Sequence, residues 1–245
     1  PNQYDASHLL AAGYRPTTNF SDIVVNTSAI KPLINPHFII SLILIRRDSS
    51  SKPYFKYFGL NQDEAYQPWS SSKCFAIINA ASTQRVDCHN RVGLNSYETN
   101  KNDELGDLST IIHSYGSNPQ NLESNCLAYY FLDIGGRQKL DDSLQQWLGA
   151  PSSNTLGGNY GCSDTYGLAM SFAEIGNASN QCSVPNTAKP TIPNSLSALA
   201  ASEFYKRIVM TREEPEYAYP NTQWTDVQQL LYGPLNSSMF AGIQW

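Results

Sequence analysis

A serine and a lysine three residues apart are the pair in this chain whose types and spacing best support chemistry. Ser70 and Lys73 open the run SSSKCFAIINAA, whose apolar part predicts a buried helix that begins after Pro68. Residues at i and i+3 share one helix face, so the amine can reach the hydroxyl. Serine is a weak nucleophile until a neighbouring base takes its proton. The free N–H groups of a helix start suit a developing oxyanion. The pattern therefore predicts nucleophilic catalysis by Ser70 with Lys73 as its base.

The same four letters, SSSK, also occur at residues 49–52, where they predict a turn. This copy lies between two strand-like runs. Pro53 follows it directly and disfavours helical geometry at Lys52. Only the copy at residues 70–73 opens a helix with a buried face, so only that copy is expected to act.

Two strands and a series of helices are expected to position this pair. Residues 38–45 are almost continuously apolar and β-branched, which predicts a central strand buried on both faces. Residues 54–60 would return antiparallel to it and deliver the chain to Ser70. Residues 150–194 show no periodicity and predict a long loop. Apolar residues at helical spacing predict further helices, which cover residues 107–115, 122–134, 140–148, 195–208 and 225–231.

This order of elements indicates an α+β protein in two parts. Residues 1–60 would form an N-terminal helix or arm and the first strands of an α/β part. Residues 61–245 would form a mainly helical part that carries the Ser-x-x-Lys motif. The predicted hairpin is too small to be stable alone, so its first strand is expected to have further partners.

The composition excludes several classes of function. The net charge of −5 argues against nucleic-acid binding, which usually needs a basic surface. No run approaches the roughly 20 apolar residues of a membrane-spanning helix, so no transmembrane segment is expected. No Cys/His spacing matches a zinc site, and we expect neither a metal nor another cofactor. His113 follows two isoleucines and is expected to be a packed histidine rather than a base.

Five cysteines leave the disulfide pattern open. Cys162 and Cys182 flank a stretch rich in Gly, Ser and Asn, which suits a disulfide that closes a loop. Cys74 and Cys126 lie on two predicted helices that we place together and are a second candidate pair. The alternative is a set of reduced, mostly buried cysteines. The odd count leaves one thiol free or paired with a segment outside this sequence.

The arrangement of these motifs resembles the penicillin-recognising serine hydrolases, which include the serine β-lactamases and the D-Ala-D-Ala peptidases (penicillin-binding proteins). The likeness spans roughly residues 35–232. It is carried by the strand over residues 54–60, a polar linker and PWSSSKCF. It is also carried by SNCLAYYFLDIGG at residues 124–136, which looks like the family's second motif before a helix that ends in Ile-Gly-Gly. The resemblance implies an antiparallel sheet with a helical subdomain, the sheet being incomplete in this chain.

The resemblance also implies a role for each motif residue. Ser70 would be acylated and Lys73 would act as the base. In the second motif, Ser124 would shuttle a proton and Asn125 would hold the substrate amide.

The register of the second motif has two alternatives, because the family pattern is Ser-x-Asn. Aligning Ser124 with the family serine places Cys126 at the asparagine position. Aligning Asn125 with the family asparagine places Glu123 at the serine position. Ser117, with an asparagine beside it, is another candidate for that serine.

Two further family features are missing from the pattern. The third motif, Lys-Thr-Gly or a variant on a strand, does not occur before Trp245, so we expect it in a C-terminal segment or a second chain. Glu174 and Asn177 are one residue short of the Glu-x-x-x-Asn pattern that supplies the deacylating base of class A β-lactamases. A peptidase or a β-lactam-trapping protein therefore fits better than an efficient class A enzyme.

The expected function is a periplasmic or secreted serine hydrolase that forms an acyl-enzyme on Ser70. Its substrate would be a β-lactam or a D-Ala-D-Ala-type amide such as a peptidoglycan stem peptide. The chain opens on Pro1, which is consistent with removal of a leader. One alternative is a glutaminase or esterase on the same scaffold, since residues 123–125 faintly resemble glutaminases. The other is a non-catalytic protein that binds peptidoglycan or a partner.

Overall fold

The computed structural model describes residues 4–17, 19–86, 93–98, 103–113, 124–156, 160, 169–174, 177–185 and 193–233. Helices and short, mostly antiparallel sheets combine within these residues, which agrees with the expected α+β composition. None of the helices in these ranges has the length and apolar character needed to cross a membrane. The helices are α1 (Ala6–Ala11), α2 (Lys73–Val86), α3 (Leu105–His113), α4 (Ser124–Gly135), α5 (Arg137–Ser143), α6 (Ala198–Met210) and α7 (Trp224–Tyr232). The strands are β1 (Val25–Asn26), β2 (Ile40–Arg47), β3 (Pro53–Leu60), β4 (Ala65–Tyr66), β5 (Ser96–Glu98), β6 (Asp103–Glu104), β7 (Ala169–Glu174), β8 (Asn177–Pro185) and β9 (Leu196–Ser197).

The sheet that leads to Ser70 has β3 at its centre, between β1 and β2. The antiparallel β2–β3 hairpin confirms the predicted pair of strands. The prediction that the first of them is central and buried on both faces is wrong. Among the described residues β2 lies at the sheet edge, and Leu42 is 45% exposed. Apolar, β-branched residues favour a strand, but they do not determine how many neighbours it pairs with.

The connection between β2 and β3 is a turn, as predicted for the first SSSK copy. The carboxylate of Asp48 accepts the N–H groups of Ser50 and Lys52, each at 2.9 Å. Ser51 has a φ of +68°. Lys52 therefore lies outside any helix, and this copy does not present a serine and a lysine on one helix face.

Residues 150–194 contain two strands that the sequence did not predict. β7 and β8 form an antiparallel hairpin, and β7 also pairs with β5, so that the sheet order is β6-β5-β7-β8. The expected loop without regular structure is therefore wrong for residues 169–174 and 177–185. These strands are rich in Ala, Ser and Asn rather than in β-branched residues, so they lack the usual compositional signal of a strand.

The predicted helices are present, and their ends differ by a few residues. α3 begins at Leu105, two residues before the predicted start. α7 begins at Trp224, one residue before the predicted start, with Gln223 as its N-cap. Several polar residues near a helix start can serve as the cap. The presence of a helix is therefore easier to predict from the sequence than the residue at which it begins.

α2 lies at the centre of the helical part, and all but its last two residues are buried. Phe75 stacks on Phe204 of α6 with 3.5 Å between the ring centroids. α2 approaches α4 closely at Gly135. A Cβ on that residue would lie 2.5 Å from Nδ2 of Asn79 and 3.0 Å from the backbone N of Ala80. The glycine at the end of α4 therefore permits this distance between the two helices.

The proposed division into residues 1–60 and 61–245 stays a prediction. Helix α6 packs on β2 across that boundary, with a 2.7 Å hydrogen bond between the hydroxyls of Ser41 and Ser202. The sheet and the helices thus share contacts that fix α6 against both parts.

Replacing Gly135 by alanine should destabilise the protein more than replacing Gly136. The methyl group of Gly135→Ala would overlap Asn79 and the backbone of α2, which we expect to cost about 2 kcal/mol. Gly136→Ala adds no contact closer than 3.8 Å but places alanine at a φ of +78°, which we expect to cost about 1 kcal/mol. Urea denaturation measures both losses. Equal losses of unfolding free energy in the two variants would show that α2 and α4 can move apart without destabilising the protein.

Candidate active site

Ser70 lies in a strained turn that leads into α2. Trp69–Ser72 form one 3-10 turn, and Trp69 has a φ of +49°, a left-handed conformation that bulky side chains rarely adopt. Ser71 Oγ donates a hydrogen bond to the carbonyl of Pro68, and Ser72 Oγ donates to the carbonyl of Trp69 at 2.8 Å. Backbone strain of this kind costs about 1–3 kcal/mol and concentrates at functional sites.

Ser70 itself is exposed. Neither its hydroxyl nor its N–H has a hydrogen-bond partner among the residues that the structure describes. Such a hydroxyl rotates without breaking a bond, and such an N–H can donate to an oxyanion. Ser70 therefore has the access and the adjacent donor that a nucleophile needs.

Lys73 is buried without a counter-ion. The residue is 4% exposed, and its Nζ donates a hydrogen bond to Ser124 Oγ at 2.9 Å. No carboxylate in the described part of the chain forms an ion pair with it. Burial lowers the pKa of Lys73 below the usual lysine value. Desolvation disfavours the charged form, so the neutral amine that a general base requires is easier to reach.

Ser124 connects this lysine to the end of α3. Its Oγ accepts from Nζ of Lys73 and donates to the carbonyl of Ile112 at 3.2 Å. Because a carbonyl only accepts, the hydroxyl hydrogen points to Ile112 and a lone pair points to the lysine. Lys73 and Ser124 are 51 residues apart in the sequence, so the fold creates this contact.

The structure does not bring Ser70 and Lys73 into a hydrogen bond, although the sequence predicts that they are within reach. The lysine side chain turns inward to Ser124, whereas Ser70 faces solvent. Catalytic hydrogen bonds often form only when substrate is bound, so Ser70 stays a candidate nucleophile.

The remaining residues of the second motif are only partly placed. Asn125 is exposed in the first turn of α4 and makes no hydrogen bond to the described residues. Cys126 follows it and is half-buried. Glu123 and Ser117 lie outside the described residues, as does the side chain of Glu174. The choice between the two registers of the motif therefore stays open, and the bond of Ser124 to the lysine favours the one that uses this serine.

Cys74 and His113 form a hydrogen-bonded pair beside Lys73. The distance from Sγ to Nε2 is 3.1 Å, and Nδ1 donates to the carbonyl of Ser109 at 2.9 Å. That carbonyl only accepts, so Nε2 carries the lone pair and the thiol donates to it. His113 is thus a packed histidine, as the sequence suggested.

Cys74 is a free, buried thiol, so the candidate Cys74–Cys126 disulfide is wrong. Two positions on adjacent helices do not predict a bridge, because the thiol here packs against α3 instead. Burial raises the pKa of Cys74 to about 11, which keeps it in the unreactive thiol form at neutral pH. Cys162 and the side chain of Cys182 lie outside the described residues.

A second buried lysine shows how this fold holds a structural ammonium group. Nζ of Lys206 lies 2.7 Å from the carboxylate of Glu203 and 2.9 Å from the hydroxyl of Tyr57. Arg207 shares the same carboxylate at 3.0 Å. A buried carboxylate therefore compensates the charge of Lys206, whereas Lys73 has a neutral hydroxyl as its partner.

Two tyrosines that the sequence analysis missed contact the turn. Tyr205 donates a hydrogen bond to the carbonyl of Ser71 at 2.7 Å, and a 3.1 Å hydrogen bond joins the hydroxyls of Tyr160 and Ser72. The chain contains 15 tyrosines, and no spacing distinguishes these two. Only the folded positions of α6 and of residue 160 identify them.

A large cleft in the described residues lies away from this cluster. It has a volume of about 780 Å³ and is lined by the β2–β3 turn and by residues 213–217, without Ser70, Lys73 or Ser124. Its central cation, Arg47, is already bound to Glu213 and Glu214. The cleft therefore offers space but no uncommitted arginine, and the cluster around the lysine remains the better candidate site.

No protein-family model, curated protein or solved structure matches the chain.

Removing the amine of Lys73 should stabilise the protein at neutral pH. The pKa of Lys73 is lowered in the folded state, so the unfolded chain binds this proton more strongly. Stability therefore rises with pH between the lowered pKa and the ordinary value of about 10.4. We expect Lys73→Met to raise the free energy of unfolding at pH 7, because it removes a buried amine whose charged form is disfavoured. The gain should shrink as the pH approaches 10.

Lys206→Met is the matched control, because it removes a buried amine that has an ionic partner. Burial lowers the pKa of Lys206 as well. Lys206→Met should nevertheless lower the free energy of unfolding by about 3 kcal/mol, since buried Glu203 loses one of its two cations. Denaturant titrations at pH 7 and pH 10 compare the two variants. A loss at pH 7 for Lys73→Met as large as for Lys206→Met would show that Lys73 is structural.

Acid should destabilise the protein through His113. Burial lowers the pKa of His113. The hydrogen bond to the Ser109 carbonyl opposes this shift, and the charge of Lys73 adds to it. The unfolded chain takes up this proton first, so stability is complete above about pH 6.5 and falls as the pH drops towards the lowered pKa. His113→Gln should flatten thermal stability between pH 6.5 and 5, whereas His37→Gln, at an exposed position, should leave the slope unchanged. Parallel slopes for wild type and His113→Gln would contradict this assignment.

Proposed function

We propose that the protein is a serine hydrolase of the β-lactamase and D-Ala-D-Ala peptidase type, acting through an acyl-enzyme on Ser70. The observation that carries the proposal is the 2.9 Å hydrogen bond between Ser124 and buried Lys73, which has no carboxylate partner among the described residues. It joins two motifs that are far apart in the sequence and that belong together in this family. Ordinary packing gives no reason to bury an amine at that place, because burial of an unpaired charge is unfavourable.

Lys73 would start the reaction as a neutral base. It would take the proton of Ser70 while Oγ attacks the acyl carbonyl carbon and the carbonyl π pair moves to oxygen. The N–H of Ser70, which has no partner among the described residues, would bind this oxyanion. The hydroxyl of Ser70 makes no hydrogen bond to the described residues. Its rotation towards the lysine therefore breaks no hydrogen bond to them.

Ser124 would return the proton to the leaving group. When the tetrahedral intermediate collapses, the C–N bond breaks and the leaving nitrogen takes the hydroxyl proton of Ser124. Lys73 would then give the proton from Ser70 to Ser124, along the existing hydrogen bond. Water would later cleave the ester, which leaves the acid product and restores the hydroxyl of Ser70.

The finer parts of the family resemblance belong to the same proposal. A β-lactamase-like sheet is supported by the edge of β2 that pairs with no other strand among the described residues, and by the exposed apolar residues of that strand. Asn125 would hold the substrate amide from its exposed place on α4. A periplasmic or secreted location follows from the proposed substrates, a β-lactam or a peptidoglycan stem peptide.

A fluorescent penicillin should form a one-to-one covalent adduct with the full-length protein. Intact-mass spectrometry and peptide mapping should place the adduct on Ser70. Ser70→Ala should abolish it, and Lys73→Met should slow acylation by at least about 100-fold, because the proton acceptor is lost. Ser49→Ala, in the copy of the motif that forms a turn, should label like wild type.

Four results would redirect the proposal. Absence of an adduct would exclude the penicillin-binding version, and glutamine turnover without labelling would indicate a glutaminase-type enzyme. Labelling of Ser70→Ala would place the nucleophile elsewhere. Unchanged activities and ligand affinities in Lys73→Ala would indicate a binding protein without catalysis.

A further inference from the structure

One contact on the strained turn comes from a distant helix and binds the backbone. The hydroxyl of Tyr205, on α6, donates to the carbonyl of Ser71 at 2.7 Å. The bonds from Ser71 to Pro68 and from Ser72 to Trp69 are local, so they stabilise the shape of the turn. They do not fix the turn relative to the rest of the molecule, whereas the bond from Tyr205 to the backbone and the bond between the hydroxyls of Ser72 and Tyr160 do.

The tyrosine ring is itself held in place by packing. Its ring meets Phe75 of α2 edge-on at a centroid distance of 6.1 Å and Phe204 at 5.4 Å. Burial raises the pKa of Tyr205 well above its usual range, so the hydroxyl keeps its proton and remains a donor. Aromatic contacts of this type restrict the ring and aim the hydroxyl.

The position of α6 depends on a buried group of charges next to this tyrosine. Glu203 accepts from Lys206, Arg207 and the hydroxyl of Tyr57, the last at 2.9 Å from β3. Breaking such a network leaves an uncompensated charge, so rotation or sliding of α6 is costly. A continuous set of contacts therefore links the sheet to α6 and α6 to the turn.

We propose that Tyr205 is a positioning residue for Ser70. Its hydrogen bond to the Ser71 carbonyl would hold the turn so that the hydroxyl and N–H of Ser70 face the substrate while Lys73 stays in reach. This inference rests on the proposed acyl transfer at Ser70. Reactions of this kind lose rate steeply when the attacking atom is displaced by as little as 1 Å.

The test compares Tyr205→Phe with Tyr219→Phe. The first removes the bond to the turn and keeps the ring. The second removes a buried hydroxyl that donates to Asn79 at 3.0 Å, on the same helix α2 but away from the turn. Each variant loses one hydrogen bond, but Tyr219→Phe leaves the buried Asn79 oxygen without its donor, whereas water can reach the exposed Ser71 carbonyl. The control should therefore lose at least as much stability in denaturation as Tyr205→Phe.

The measured quantity is the rate of acylation by the fluorescent penicillin, with its binding and chemical steps separated by stopped flow. Tyr205→Phe should slow the chemical step about tenfold, with binding and the shape of the pH profile unchanged, because Lys73 is untouched. Tyr219→Phe should acylate within about twofold of wild type. A chemical step within twofold of wild type in Tyr205→Phe would overturn the positioning role and leave the proposed function intact.

If the penicillin does not label the wild-type protein, that result alone excludes the proposed function. Amide hydrogen exchange of Trp69–Ser72 then tests the role of Tyr205 separately. Faster exchange of these amides in Tyr205→Phe than in Tyr219→Phe would still support a role for the tyrosine in holding the turn. Equal exchange in the two variants would overturn it.

Discussion

The hydrogen bond between Lys73 and Ser124 is the interaction around which the candidate site is built. It places an amine in the interior with a neutral hydroxyl as its hydrogen-bond partner. That arrangement is unfavourable for a charged lysine and tolerable for a neutral one. The apolar faces of α2 and α4 around the amine must contribute the stability that the buried amine does not contribute. The close packing of these two helices holds the amine in place.

The two ends of α4 have linked tasks in that packing. At its C-terminal end, Gly135 lets α2 approach, and Asn79 donates to the carbonyl of Gly136 at 3.1 Å. At its N-terminal end, the same helix presents Ser124 to Lys73. A larger residue in place of the glycine would push the helices apart and disturb the contact at the other end. The two glycines and the serine therefore depend on the same distance between α2 and α4.

Local patterns predicted the hairpin, most helices and the difference between the two SSSK copies, because a proline or a periodic apolar face acts within a few residues. Contacts between distant residues could not be predicted in this way. The edge position of β2, the β7–β8 strands, the Cys74–His113 pair and the bond from Tyr205 all depend on which elements meet in space. The i,i+3 spacing drew attention to Lys73, whose hydrogen-bond partner in the structure is on another helix.

Two departures from ordinary structural rules lie within five residues of each other in the described part of the chain: the left-handed backbone of Trp69 and the buried amine of Lys73. Other left-handed residues are Asn61, Asn221 and Ser51, small polar types that suit turns, whereas Trp69 is bulky. Buried cations elsewhere in the described ranges have carboxylates, such as Asp226 for Arg85, Asp133 for Arg137 and Glu203 for Lys206. Lys73 has none. Each departure costs free energy, and exposed Ser70 lies between them. Proteins retain unfavourable features where function requires them, so their proximity is itself an argument that this turn does chemistry.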